Sequence, residues 1–311
     1  MSILSVNAGS SSLKFALYPI QGAGIGPAEM TGNIEGLEPA GQPCMSWSVP
    51  GEAKSQQTIE AIAGQDVFDA ALTALKNLLA TRYAHLAVQA IAHRVVHGGA
   101  GLVAPCRVTE AVVAEVEACV PLAPLHNPAN LTGMRALGRL VPGLPQFASF
   151  DTAFHARVPE VARRYALPAE AEALGLRRYG FHGISYASLV RKVQEMGRGG
   201  LPKRVLAFHL GNGASACGIV DGRSVATTMG YSPLDGLTMG TRTGEIDGNA
   251  VLRLAELHGV AGAGRILNRE SGLLGLGGAS DMRALHRAAA GDGPAAEAAR
   301  FAVALASREG Y

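Results

Sequence analysis

The feature that most constrains this chain is a plan it uses twice. The stretch "VNAGSSSLKF", starting at Val6, is a strand that breaks at Asn7, Gly9 and three serines, then climbs into a second strand. The stretch "VLAFHLGNGASACGIVDGRSVA", starting at Val205, repeats strand, Gly/Asn/Ser turn and strand, and adds an Asp-Gly hairpin turn with a third strand. A buried hairpin has no need of so many hydroxyls and amides. Glycine lets the backbone approach a ligand, Ser10, Ser11 and Ser12 offer donors, and Lys14 adds a point charge. Each turn therefore reads either as a plain hairpin or as a cradle for phosphate. Two such units, one in each half, suggest a duplicated fold with a cleft between its halves and favour the cradle.

The order of elements agrees with an α/β class. Strands are expected over 3–6, 13–18 and 29–34, and a helix over 66–83, where Val67, Ala71, Leu72, Leu75, Leu78 and Leu79 recur at helical spacing. A β-branched strand over 87–96, helices over 109–119 and 128–140, and a strand over 146–150 follow, giving a mixed sheet with helices on its faces. In the second half, helical patterns over 247–258 and 294–307 follow the strands, without a counterpart of the later strands of the first half. Either the duplication is illusory or the second half is incomplete. The expected domains are 1–150 and 151–311.

Composition narrows the function. The chain's 311 residues suffice for two domains, and 48% hydrophobic with 17% charged residues argues against disorder. A net charge of +2 gives no reason to expect nucleic acid or a membrane surface as partner. Asn7 to Lys14 interrupts the apolar start, so no signal peptide is expected, and no apolar run approaches membrane-spanning length. Cys44, Cys106, Cys119 and Cys217 form no CxxC pair and read as reduced thiols of a cytoplasmic protein.

No GxxxxGK[ST] and no strand–GxGxxG–helix is present, so a P-loop or a dinucleotide fingerprint is unsupported. The stretch "AHRVVHGG" sets His93, Arg94 and His97 at a strand end. Without a third ligand the two histidines read as structural rather than as zinc ligands. Arg94, beside glycines, is suited to grip a carboxylate or phosphate. Asp151 follows a strand in "FDTAFH", and His182 opens a helix in "YGFHGISY". Arg242 sits in the glycine-punctuated "SPLDGLTMGTRTGEIDG", and Asp281 and Arg283 end "SGLLGLGGASDMR". Each alone reads as a surface polar group; together, two Arg, a His and an Asp at element ends resemble a phosphoryl-transfer site.

Seven motifs, "NAGSSSLK", "HRVVHGG", "PLAPLHNP", "FDTAFH", "YGFHGISY", "HLGNGAS" and "SPLDGLTMGTR", stand in the order of the acetate kinase family, and on them the chain resembles that family. The resemblance implies a duplicated ribonuclease H-like, actin-like ATPase fold of two domains. It also implies ATP as co-substrate, Mg²⁺ (or Mn²⁺) as cofactor, acetate as acceptor, and a homodimer. Carried over by motif, Asn7 would meet the metal–phosphate unit, and Ser10, Ser12 and Lys14 would line the same side. Arg94 would bind the acetate carboxylate, Asp151 would be the catalytic acid, and His182 and Arg242 would stabilise the transferring phosphoryl group. His209, Leu210, Gly211, Asn212 and Gly213 would meet the ATP phosphates, and Asp281, Met282 and Arg283 the adenosine. Val96, Leu125, Phe181 and Pro233 would form a pocket for the methyl group.

The chemistry suits these groups. A carboxylic acid with a pKa near ~4 is already ionised at neutral pH and needs no general base. Its difficulty is repulsion from the γ-phosphate, roughly 4 kcal/mol per unit charge pair at ~4 Å and an effective dielectric of about 20. Cationic groups aimed at the transferring group answer that need. The family's later strand, its "GGIGEN" segment and a distal Glu have no match here, so the second domain is expected to be C-terminally truncated. Two alternatives follow: a catalytically impaired fragment that binds only phosphate or carboxylate, and a propionate or other kinase of the superfamily.

Overall fold

A computed structural model describes residues 1–309 apart from 23, 39–40, 61–65 and 198. The chain divides into two compact units, Met1–Ala153 and Phe154–Tyr311. The division falls after Ala153 rather than after the expected residue 150 because Asp151 is tied to the first unit. Its backbone N–H donates to Val95 O at 3.0 Å, and its carboxylate holds Arg94.

Unit 1 runs β1 (Ser2–Ala8), β2 (Ser12–Gln21), β3 (Gly24–Ile25), β4 (Met30–Glu35), β5 (Cys44–Ser48), β6 (Ser55–Thr58), α1 (Val67–Arg82), β7 (Val88–Val95), β8 (Cys106–Arg107), α2 (Glu110–Ala118), α3 (Asn127–Leu140) and β9 (Gln146–Phe150). The strands form one sheet in the order β6-β5-β4-β2-β1-β7-β9-β8, with β3 paired to β2. β1, β7 and β9 run parallel, which sets their C-terminal ends side by side. The alternation expected of half-buried strands is present: every second residue of β1 is buried. Leu13, Leu17, Met30, Ile34, Leu72 and Leu75 fill one core. Val95, Val116, Leu131, Met134 and Phe150 fill a second, towards α2 and α3. The helix expected over 66–83 is α1, capped by the Asp66 carboxylate, which accepts from Phe68 N at 2.9 Å.

Unit 2 runs α4 (Glu160–Arg163), α5 (Ala169–Ala173), α6 (Gly183–Glu195), β10 (Arg204–Leu210), β11 (Ala214–Val220), β12 (Arg223–Thr227), α7 (Gly248–Arg265), α8 (Gly272–Gly277), α9 (Met282–Ala289) and α10 (Pro294–Arg308). β10, β11 and β12 make an antiparallel sheet with β11 central. Asp221 (φ 48°) and Gly222 (φ 75°) make the tight turn between β11 and β12 that "DG" foretells. Tyr186 and Val190 of α6 pack on Ala207, Cys217 and Ile219. Ala299, Ala302 and Ala306 let α10 close on Leu273 and Leu285. Among the described residues no strand follows β12, and no helix is long and apolar enough to cross a membrane.

Candidate active site

Unit 1 gathers three of the expected residues where parallel strands end. Asn7 is the penultimate residue of β1, Arg94 that of β7, and Asp151 follows β9 directly. Arg94 Nη2 lies 2.6 Å from Asp151 Oδ2, its Nε 3.2 Å from both carboxylate oxygens, and its Nη1 3.5 Å from Asn7 Oδ1. The Asp151 side chain is 2% exposed and that of Arg94 38%, so the buried anion is held by a cation that keeps one face open. Burial alone would lower the Arg94 pKa, but the charge and hydrogen bonds of Asp151 outweigh it and leave it above its ordinary value. A guanidinium has five N–H donors, and Asp151 and Asn7 take three of them.

Asn7 Oδ1 and the Asp151 carboxylate are hard oxygen donors of the kind a small divalent cation prefers. Among the described residues no group of three or more His, Cys, Asp or Glu could enclose a metal. That donor set fits an ion carried mainly on phosphates and water. Of the serine turn, Ser10, Ser11 and Lys14 are exposed, and Gly9 N donates to Ser12 O at 2.7 Å. His93 and His97 are buried in the strand end. His93 Nε2–H donates to Gln146 Oε1 at 2.6 Å, and burial lowers its pKa to about 4; His97 Nδ1 accepts from Gly99 N at 2.9 Å.

Unit 2 gathers a second group. His182 is the cap of α6 and adopts a left-handed conformation (φ 59°). Its ring stacks on that of His209, with centroids 3.9 Å apart and planes 20° apart. The glycines of the turn 209–213 make room here: a Cβ on Gly213 would sit 3.3 Å from His182 Nε2 and 3.6 Å from Arg242 Nη1. The polar ends of His182 and Arg242 thus border one small space. Arg242 is aimed by Nη1 donating to Pro233 O at 2.8 Å, and the turn is tied to its loop by Gly240 N donating to Asn212 O at 3.2 Å. Leu210 is partly exposed, and Gly211 N bonds Gly213 O at 3.2 Å across the turn.

Asp281 acts locally. Its carboxylate accepts from Ala284 N at 3.0 Å and caps α9, before Met282, while the Arg283 side chain is 91% exposed. The four expected pocket residues are divided. Val96 and Leu125 belong to unit 1, Phe181 and Pro233 to unit 2; Val96 and Phe181 are buried and Leu125 is exposed. Three buried groups escaped the sequence reading. They are His155, Tyr186 and Ser215, which contact the backbone or ring of the 181–182 segment or one another. The signal for His155 was present in "FDTAFH", read only for its aspartate. All four cysteines are free thiols, and burial pushes the Cys119 pKa up to about 11.

A family profile described as the Acetokinase family matches residues 2–307. An acetate kinase of Deinococcus radiodurans is 46% identical over 93% of this chain and 72% of its own length. One from Rhodopseudomonas palustris is 41% identical over 99% of the chain and 77% of its length. Among solved structures, a propionate kinase from Francisella tularensis superposes with a TM-score of 0.89 at 35% identity, covering 99% of this chain and 77% of that one. The acetate kinase of Porphyromonas gingivalis gives 0.84 at 33% identity, with the same coverage. With its fold, its paired strand–turn–strand units and these matches agreeing, the chain belongs to the acetokinase family and is a kinase.

Proposed function

We propose that this chain transfers the γ-phosphoryl group of ATP directly to acetate, giving acetyl phosphate and ADP in a reversible reaction. An acetate oxygen forms the new bond to phosphorus as the bond to the β,γ-bridging oxygen breaks, and ADP leaves with that electron pair. No proton moves, in keeping with an acceptor already ionised at neutral pH. Arg94 binds the acetate carboxylate, and Asp151 orients Arg94 through the two-point ion pair. His182 and Arg242 take the oxygens of the transferring group as its charge spreads. Gly211, Asn212 and Gly213, with Ser10, Ser12 and Lys14, carry the nucleotide phosphates. Asn7 and Asp151 would hold Mg²⁺, which when bound neutralises phosphate charge. Val96, Leu125, Phe181 and Pro233 shelter the methyl group. The observation that carries this reading is the joining of Asn7, Arg94 and Asp151 at three parallel strand ends in a member of a kinase family.

A second reading, propionate as the preferred acceptor, is favoured by the likeness to the Francisella propionate kinase. One assay tests both. The purified chain is incubated with ATP, Mg²⁺, hydroxylamine and either acetate or propionate, and acyl hydroxamate is scored. Faster product from acetate supports the first reading, and faster product from propionate the second. Absence of product from both overturns the activity and leaves a chain that binds without turnover. The same reading includes a homodimer, for which light scattering should return twice the monomer mass.

A further inference from the structure

The carbonyl that aims Arg242 belongs to Pro233, in an irregular loop between β12 and α7. Neither a helix nor a sheet ladder fixes that loop, so other groups must hold the carbonyl in place. The loop closes on itself between Thr228 and Gly236. Gly236 adopts φ 101°, and a Cβ there would sit 2.7 Å from Thr228 O. A side chain from outside the loop fastens its two ends. Arg178 Nη1 lies 2.8 Å from Thr228 O and 3.3 Å from Asp235 Oδ2, so the two hydrogens of that one nitrogen serve both ends. Thr227 O lies 3.4 Å from the same nitrogen.

Arg178 is itself held. Its backbone N–H donates to Arg163 O at 2.8 Å, and that of the next residue, Tyr179, donates to Gly230 O inside the loop at 3.0 Å. Its guanidinium lies over the ring of Tyr165, 5.6 Å from the centroid, and the Tyr165 hydroxyl accepts from Tyr231 N at 2.8 Å. These groups converge on Gly230, where a Cβ would collide with both the Asp235 carboxylate and the Tyr165 hydroxyl.

The pinned points leave little slack. Only Ser232, Pro233 and Leu234 span the gap between Tyr231 and Asp235, and the middle one has its φ set by its ring. The Arg178 and Asp235 side chains are 24% and 37% exposed, and an ion pair so open to water contributes little to stability. What the clasp fixes is therefore the place of the Pro233 carbonyl more than the fold of unit 2.

We propose that Arg178 is a positioning residue for phosphoryl transfer: by clasping Thr228 to Asp235 it fixes the Pro233 carbonyl and, through it, the guanidinium of Arg242. The clasp stands on geometry alone, whereas its part in turnover rests on the role given to Arg242 under Proposed function.

Two measurements on the whole chain test it. The first is amide hydrogen exchange. Arg178→Met keeps a long stem without a donor and should speed exchange of the Tyr231 N–H roughly tenfold or more, while that of Tyr186, bonded to His182 O in α6, stays as it was. The second is turnover in the hydroxamate assay. It should fall about 10–10²-fold in Arg178→Met with KM for ATP little changed, the scale of a small misplacement of a catalytic group. Arg178→Lys should recover part of that loss, because the clasp's hydrogen bonds leave a single nitrogen and an ammonium carries three donors. Added to Arg242→Ala, Arg178→Met should lower turnover no further, since residues that act as a unit are not additive. Asp235→Ala empties the other side of the clasp from a partly exposed loop, and should move exchange and turnover in the same direction even if Arg178→Met fails to fold. A Tyr231 amide as protected in these variants as in the wild type overturns the proposal. So does a double variant that shows both losses in full, because Arg178 would then act apart from Arg242. If the wild type forms no hydroxamate, the kinase reading fails and the exchange of Tyr231 decides the clasp by itself.

Discussion

β1 of unit 1 and β10 of unit 2 open the same local design, a strand running into a polar turn and back, yet their surroundings differ. β1 lies between β2 and the parallel β7, and Leu4, Val6 and Ala8 are buried. Among the described residues β10 pairs only with β11, and Leu206, Phe208 and Leu210 stay exposed at 67%, 39% and 48%. The central strand of unit 2 is β11 instead, with its first four residues all buried. The repeated design therefore specifies the polar turn, whereas burial of the strand is set by what lies alongside it. An apolar strand with an open edge is exposed to pairing with other chains.

The sharpest way to break that comparison is to truncate the same side chain in both strands. Leu4→Ala should cost about 2–5 kcal/mol, as for a buried leucine. Leu206→Ala should change stability by no more than about 0.5 kcal/mol. Trp47, the single tryptophan, is buried in unit 1 and reports its urea unfolding by fluorescence; far-ultraviolet circular dichroism sums the helices of both units, so unit 2 is read from the dichroism change that the fluorescence does not share. Equal losses would show that β10 is covered in solution.

The two arginines extend the contrast. Arg242→Ala should depress turnover about 10²–10³-fold, the usual effect of losing one preorganised donor to developing charge, with KM for ATP nearly unchanged. The Pro233 carbonyl that Arg242 holds lies in a partly exposed loop and can turn to water, so stability should change little. Arg94→Ala strands the buried Asp151 carboxylate, and with the guanidinium partly exposed the expected loss is about 1–3 kcal/mol on top of the lost activity. An Arg94→Ala protein as stable as the wild type would mean that Asp151 finds another partner.

These pairs also mark how far the sequence is legible. The strands and helices with clear period, from β1 and β2 to α1, α2 and α3, stand within a few residues of where alternation and helical spacing put them. β5 and β6 escaped because "CMSWS" and "SQQT" are short, and the second is polar at a sheet edge. In the candidate site, residue types at strand ends were legible, but partners were not. Arg94 and Asp151 are 57 positions apart and meet only because β7 and β9 are parallel neighbours. Helical spacing marks α7 only as far as 258, where Gly259 (φ 69°) interrupts the helical backbone, although the element runs on to Arg265.

Each unit also buries a histidine with pKa lowered to about 4, His93 in unit 1 and His155 in unit 2. Unfolded, each would titrate near about 6.5, so the unfolded chain binds more protons between those values and stability falls as pH drops from 6.5 towards 4. Each contributes up to about 3 kcal/mol of that loss, since one pKa unit is about 1.4 kcal/mol. Urea midpoints between pH 7 and 4.5 should decline by both probes. His93→Gln should flatten the profile read by Trp47 and leave unchanged the part of the dichroism profile that Trp47 does not share. A profile flattened equally in both would show that the units unfold as one.

The smallest effect concerns acyl length. Val96 follows β7 in unit 1, is buried, and donates its backbone N–H to Asn130 Oδ1 at 3.0 Å, so truncating its side chain leaves that hydrogen bond in place. If unit 1 sets the length of the acceptor while unit 2 handles the phosphoryl group, Val96→Ala should raise kcat/KM for propionate relative to acetate. One methylene in an apolar pocket is worth about 1–3 kcal/mol, and the low end of that range is a change of roughly tenfold. The loss for acetate should lie mainly in KM, because the methyl contact is made equally in ground and transition states. An unchanged propionate-to-acetate ratio would move the length determinant to Phe181 and Pro233 in unit 2 and erase this division of labour.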